Sequence, residues 1–137
     1  MSPKTPQPAQ PPGSAPARWK WTGDELIQLG ELGVLPPGQK LELMDGEIIR
    51  HIPTDPLHAV LVGLIAELLA EHLSSHGFHV RQEKPVRLNS YYDPLPDVAV
   101  VKGRLLDYKD RFPGPDDVVL ITEVADTSLD YDRSDKM

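Results

Sequence analysis

VVLITEVADTSLDYDRSDK, running from Val118 to Lys136, is the stretch on which the fold turns. Its opening residues, Val118 to Thr122, form an unbroken apolar and β-branched run, the pattern of a strand buried on both faces. Glu123 stands at the tip of that strand, where water or a cation must satisfy it, because a buried carboxylate without a partner costs on the order of several kcal/mol. The second half is polar and helix-like, with Ser128 or Asp130 able to cap a helix carrying Asp132 and Lys136. A core strand thus delivers an acid to its end, and the next helix offers a lysine.

Working outward from there, Lys102 to Asp117 is a loop punctuated by Gly and Pro, and Tyr92 to Val101 ends in the buried run Val98-Ala99-Val100-Val101. Phe78 to Leu88 alternates only in part and contains Pro85, which suits an edge or bulged strand. Before it, Leu57, Leu61, Leu64, Ile65, Leu68 and Leu73 recur at helical spacing, with Asp55 as N-cap, Pro56 at the first helical position and Gly77 as the stop. Lys40 to Ile52 reads as a β-hairpin around Asp45-Gly46. Thr22 and Glu25 form a capping box that opens a short helix through Leu29. The predicted order is helix, hairpin, long helix, three strands and the start of another helix, an α+β domain spanning residues 18–137. Met1 to Ala17, with six prolines and a single lysine, lacks the apolar surface to offset its ordering entropy and is expected to be a disordered tail.

Composition bounds the function. The 137 residues are 39% hydrophobic, enough for a core, and the absence of cysteine removes disulfides and thiolate metal sites. His, Glu and Gly interrupt the longest apolar stretch, so no segment is expected to span a membrane, and Pro and Gln stand where a signal peptide needs an apolar run. A soluble, cytoplasmic protein is the expectation. The net charge of -7 argues against broad non-specific nucleic-acid binding while leaving room for a local basic groove.

Asp97 opens one buried strand and Glu123 closes the next. If the two strands pair antiparallel, both carboxylates meet at one rim of the sheet. Two oxygen ligands with waters suit Mg²⁺ or Mn²⁺, which lower the pKa of bound water and stabilise a phosphoryl transition state. The plainer alternative leaves Asp97 capping a turn after Pro96 and Glu123 facing solvent. Lys136 suits orientation of an attacking water or neutralisation of phosphate charge, and equally an i, i+4 pair with Asp132. His58 stands near a helix start, whereas His51, His72, His76 and His79 show no ligand spacing. P-loop, dinucleotide and Gly-x-Ser-x-Gly motifs are absent.

Glu42-Leu-Met-Asp-Gly-Glu47, His58 opening a long helix, Pro96-Asp97-Val98-Ala99-Val100-Val101, and Thr122 to Leu129 with Asp132 and Lys136 together resemble the Uma-type family of restriction-endonuclease-like proteins, within the PD-(D/E)XK nuclease superfamily. The resemblance runs from about Trp21 to the end and implies a restriction-endonuclease-like core, a mixed β-sheet flanked by helices. It implies Mg²⁺-dependent (or Mn²⁺-dependent) phosphodiester hydrolysis on nucleic acid, with DNA the expected substrate and a homo-oligomer allowed. Asp97 and Glu123 would be the metal ligands and Lys136 the catalytic lysine, with Glu42 and His58 in supporting positions. Ala125 occupies the place of the superfamily's usual lysine, two residues after the acid, and the family carries its lysine on the following helix. With Met137 one residue past Lys136 and no helix stop in sight, a C-terminally truncated domain is expected. The rival readings are a non-catalytic nuclease-fold binding module and a metal hydrolase for a small phosphoester. Arg81, Lys84, Arg87, Lys102 and Arg104, if gathered around the two acids, would favour nucleic acid.

Overall fold

The computed structural model describes residues 7–9, 12–13, 15–52 and 55–124. The chain divides into two compact units, Met1–His51 with Arg87–Pro94, and Ile52–Val86 with Leu95–Met137.

In the first unit the capping box forms as the sequence demands. Glu25 N–H donates to Thr22 Oγ1 at 3.2 Å, Thr22 N–H donates to Glu25 Oε1 at 2.9 Å, and helix α1 runs from Gly23 to Glu31. Strands β1 (Leu41–Met44) and β2 (Glu47–Arg50) pair antiparallel around Asp45-Gly46. Both turn residues have positive φ, 50° and 77°, which matches the right-handed twist of the flanking strands. Leu43 is completely buried and exchanges both backbone bonds with Asp93, which fastens the hairpin to the 87–94 segment. Gln7, within the segment expected to be a free tail, bonds Lys20 through both ends of its amide.

In the second unit Asp55 caps helix α2, Pro56–Leu73, by accepting the His58 N–H at 2.8 Å. A 3-10 turn, Ser74–His76, and left-handed Gly77 (φ 86°) end it. Strands β3 (Phe78–Gln82), β4 (Val98–Lys102) and β5 (Val118–Thr122) form an antiparallel sheet in that order. Val62 and Ala66 of α2 pack on Val98, with Ile65, Leu69, Val80 and Val124 around them. Pro85 falls outside β3, and a 3-10 turn, Leu105–Tyr108, interrupts the long loop before β5.

Three expectations need correcting. All strand pairs among the described residues are antiparallel, in two sheets, where one mixed sheet was expected. The strand buried on both faces is β4, whose Val98 to Val101 are at most 1% exposed, because among the described strands it alone has a neighbour on each side. β5 carries the same kind of sequence at an edge, and Val119, Leu120 and Ile121 are 41–48% exposed. Finally, Pro56–His76 is long and apolar enough to cross a membrane by length and composition, contrary to the reading that no segment is. In this unit the helix is instead the cover of the sheet, with Leu57, Val60, Leu64 and Leu68 on its exposed side.

The residue pattern, the capped helices and the two antiparallel sheets make an α+β fold.

Candidate active site

The register of β4 and β5 determines what the sheet presents. Val98 pairs with Thr122, so Asp97, one residue earlier, and Glu123, one residue later, face each other across the same rim. Asp97 is 7% exposed, and its Oδ2 accepts the N–H of Val124 at 2.8 Å. That bond ties the start of β4 to the residue after Glu123 and orients the carboxylate. Asp97 Oδ1 has no donor among the described residues. Glu123 stands exposed at the rim.

His58 approaches from the third residue of α2. Its Nε2 lies 3.6 Å from Asp97 Oδ2, with the two side chains 12% and 10% exposed. That distance is too long for a hydrogen bond, and Nε2 is shut off from solvent without a partner. The contact becomes an ion pair when the ring is protonated. The first turn of α2, capped by Asp55, is what carries His58 to this carboxylate. A nearly buried acid with one free oxygen, beside an exposed acid, is a donor set of hard oxygens that fits a small divalent cation. Among the described residues no group of three or more His, Asp or Glu side chains is gathered that could hold a metal ion.

Glu83 was not singled out by its sequence. It adopts φ 49°, a left-handed conformation rare for a non-glycine residue, and its N–H is shared between Pro96 O at 3.0 Å and Asp97 O at 3.2 Å. The kinked end of β3 therefore holds the backbone that carries Asp97. Pro85, two residues on, was the available signal of a bulge there.

Glu42, in β1, accepts a contact from His51 Nε2 at 3.1 Å, a pair that spacing did not suggest because it closes across the hairpin. Lys136, with Asp132, lies outside the described residues. The five basic residues do not gather around the two acids as a set. Arg87 is engaged by Asp93 and Asp24 in the first unit. Lys102 ends β4 at its far end and Arg104 follows it, paired with Asp107. Arg81 pairs in register with Ala99 and is buried, which pulls its pKa down. Lys84 is exposed next to Glu83 and is the remaining cation near that rim by register. A cleft of about 370 Å³ between the end of α1 and β1, lined by Leu26, Leu35, Pro36, Pro37 and Leu41, carries no ionisable group and has no part in this chemistry.

Paired acids thus stand at the rim of an antiparallel sheet, beside the first turn of the covering helix. A family model named Uma2 and described as "Putative restriction endonuclease" matches residues 24–137, and the chain belongs to that family. No curated protein matches it.

Proposed function

We propose that this chain is a metal-dependent endonuclease that hydrolyses phosphodiester bonds of nucleic acid, DNA in the first instance, at the Asp97–Glu123 rim. The observation that carries the reading is the Val98–Thr122 pairing, which sets the two acids opposite each other. Mg²⁺ or Mn²⁺ would be held by Asp97 and Glu123 and would supply acidification of water and neutralisation of phosphate charge. The chain's own residues do the rest. The Val124 N–H aims the Asp97 carboxylate, the strained Glu83 backbone fixes its Cα, and His58 sets a protonatable ring against it. Lys136, by family resemblance, would position the attacking water, and Glu42, which pairs with His51, is a supporting residue by the same resemblance.

Calorimetry with Mn²⁺ tests this on wild type, Asp97→Asn and Glu123→Gln. Either swap preserves shape while removing a charge that a hard cation needs, so binding should be lost with little change in fold. Binding unchanged in both variants would sink the site. The scarcity of cations near the rim among the described residues favours a second reading, a nuclease-fold module that binds without cutting. Metal binding in wild type with no cleavage of any DNA or RNA would select it.

A further inference from the structure

Arg18-Trp19-Lys20-Trp21 precedes the family-matched residues, which begin at 24. The stretch lies extended and is held from two sides. Trp21 N–H donates to Gly46 O at 2.9 Å. Lys20 N–H donates to Gln7 Oε1 at 3.1 Å, and Gln7 Nε2 donates to Lys20 O at 2.6 Å. Lys20 passes so close to the hairpin turn that a Cβ on Gly46 would come within 2.8 Å of its Cα.

Alternate residues of an extended chain share a side. Trp19 and Trp21 do so, their rings meeting edge to face with centroids 6.3 Å apart at 71°. Trp21 is half-buried and serves as the support, while Trp19 remains 56% exposed. Lys20 bonds Asp45 at 2.9 Å and lies 5.6 Å above the Tyr91 ring. Arg18 bonds Glu47 at 2.9 Å. Both ion pairs sit in solvent, where such pairs contribute little and exchange readily.

A large ring held rigid by a second ring, half in solvent and flanked by two exchangeable cations, matches the needs of an unpaired nucleotide. We infer that the Arg18–Trp21 arm is a stacking surface for a single-stranded nucleobase, with Arg18 and Lys20 transferring from their turn carboxylates to the flanking phosphates. Every base has a π face, so the contact is indifferent to sequence. A polyproline segment is the other ligand that aromatic arms take, but the flanking cations favour a polyanion. The inference rests on nucleic acid being the substrate and is independent of the metal site.

The test is titration of the full chain with a thymidine oligonucleotide of about ten residues in EDTA, reading tryptophan emission and the anisotropy of labelled oligonucleotide. Saturable quenching is expected, with a salt slope of about -1.4 for two phosphates. Trp19→Ala should weaken binding by roughly tenfold or more, Trp19→Phe should retain most of it, and Arg18→Gln should reduce the slope by about 0.7. Because Trp19 is exposed, its variants should melt as wild type does. Equal affinity in Trp19→Ala, equal affinity for an abasic oligonucleotide, or quenching by a proline-rich peptide in place of DNA would each overturn the inference. EDTA silences the Asp97–Glu123 site, so failure of that site leaves this titration unaffected.

Discussion

Arg87→Met separates a structural arginine from one that serves a substrate. Arg87 Nε donates to Asp93 Oδ1 at 2.9 Å, Nη2 to Asp93 Oδ2 at 2.7 Å, and Nη1 to Asp24 Oδ1 at 2.7 Å. The fork to Asp93 raises the guanidinium pKa above its ordinary value, with the bond to Asp24 a smaller contribution against the burial that lowers it. The two contacts differ in weight. The Asp24 side chain is 55% exposed, so that pair contributes about 0–1 kcal/mol, whereas the Asp93 side chain is 5% exposed. Deleting its partner leaves a nearly buried carboxylate uncompensated, at a cost of roughly 3–5 kcal/mol. That is a large part of the ~5–15 kcal/mol by which a domain is stable. At a few degrees per kcal/mol for this size, the melting temperature should fall by roughly 10–20 °C in a thermal scan followed by circular dichroism.

The partner experiment guards against a trivial result. Gly23 leaves no room for a Cβ, which would sit 2.8 Å or less from Asp93 side-chain atoms, so the fork is packed as well as charged. Arg87→Met combined with Asp93→Leu removes both charges and should recover most of the loss, since replacing a buried pair by apolar groups is often near neutral. Mn²⁺ binding should be unchanged in Arg87→Met at temperatures where it is folded. A loss below about 1 kcal/mol in Arg87→Met would refute the reasoning, and would return Arg87 to the pool of phosphate-binding candidates.

Further predictions concern acid stability, the turn, the tail and the sheet edge. Asp117 is held below the usual carboxylate range by Arg111 Nη1 at 2.7 Å and then by the Gly114 N–H at 2.9 Å. A depressed folded pKa adds stability above the unfolded value near ~3.9 that is lost as pH falls through the folded one. Asp117→Asn should therefore be less stable than wild type at pH 6, with urea midpoints converging at the acid end of that window. Gly46→Ala meets both a positive φ and the Lys20 backbone, so it should destabilise by about 1–3 kcal/mol and disturb tryptophan emission. Deleting residues 1–17 removes the Gln7 bonds to Lys20, so the melting temperature should fall by a few degrees at most, where a wholly free tail would leave it unmoved. Leu120→Lys on the exposed edge strand should lower self-association in sedimentation experiments, and a wild type that stays monomeric at high concentration would remove the case for an interactive edge.

What was legible in the sequence was what a few neighbouring residues decide. Thr22 with Glu25, Asp45-Gly46, Asp55-Pro56 and Gly77 each specify a local geometry through their own side chains or φ preference, and each forms as read. The meeting of Asp97 and Glu123 was legible for a topological reason. If consecutive strands pair antiparallel, the start of one must lie at the end of the other, whatever the loop between them does. Burial was harder, because Val98–Val101 and Val118–Ile121 are nearly interchangeable as strings and differ only in how many strands flank them. Partner choice was harder still. Nothing local to Arg87 announces Asp24, 63 positions away, and nothing local to Glu42 announces His51, so a candidate phosphate-binding cation turns out to be engaged by carboxylates instead. A rim that, among the described residues, holds one buried and one exposed acid but few cations attracts a divalent ion more readily than a polyanion. Substrate binding would then depend on the ion and on further contacts, which is the work assigned above to Arg18, Trp19 and Lys20.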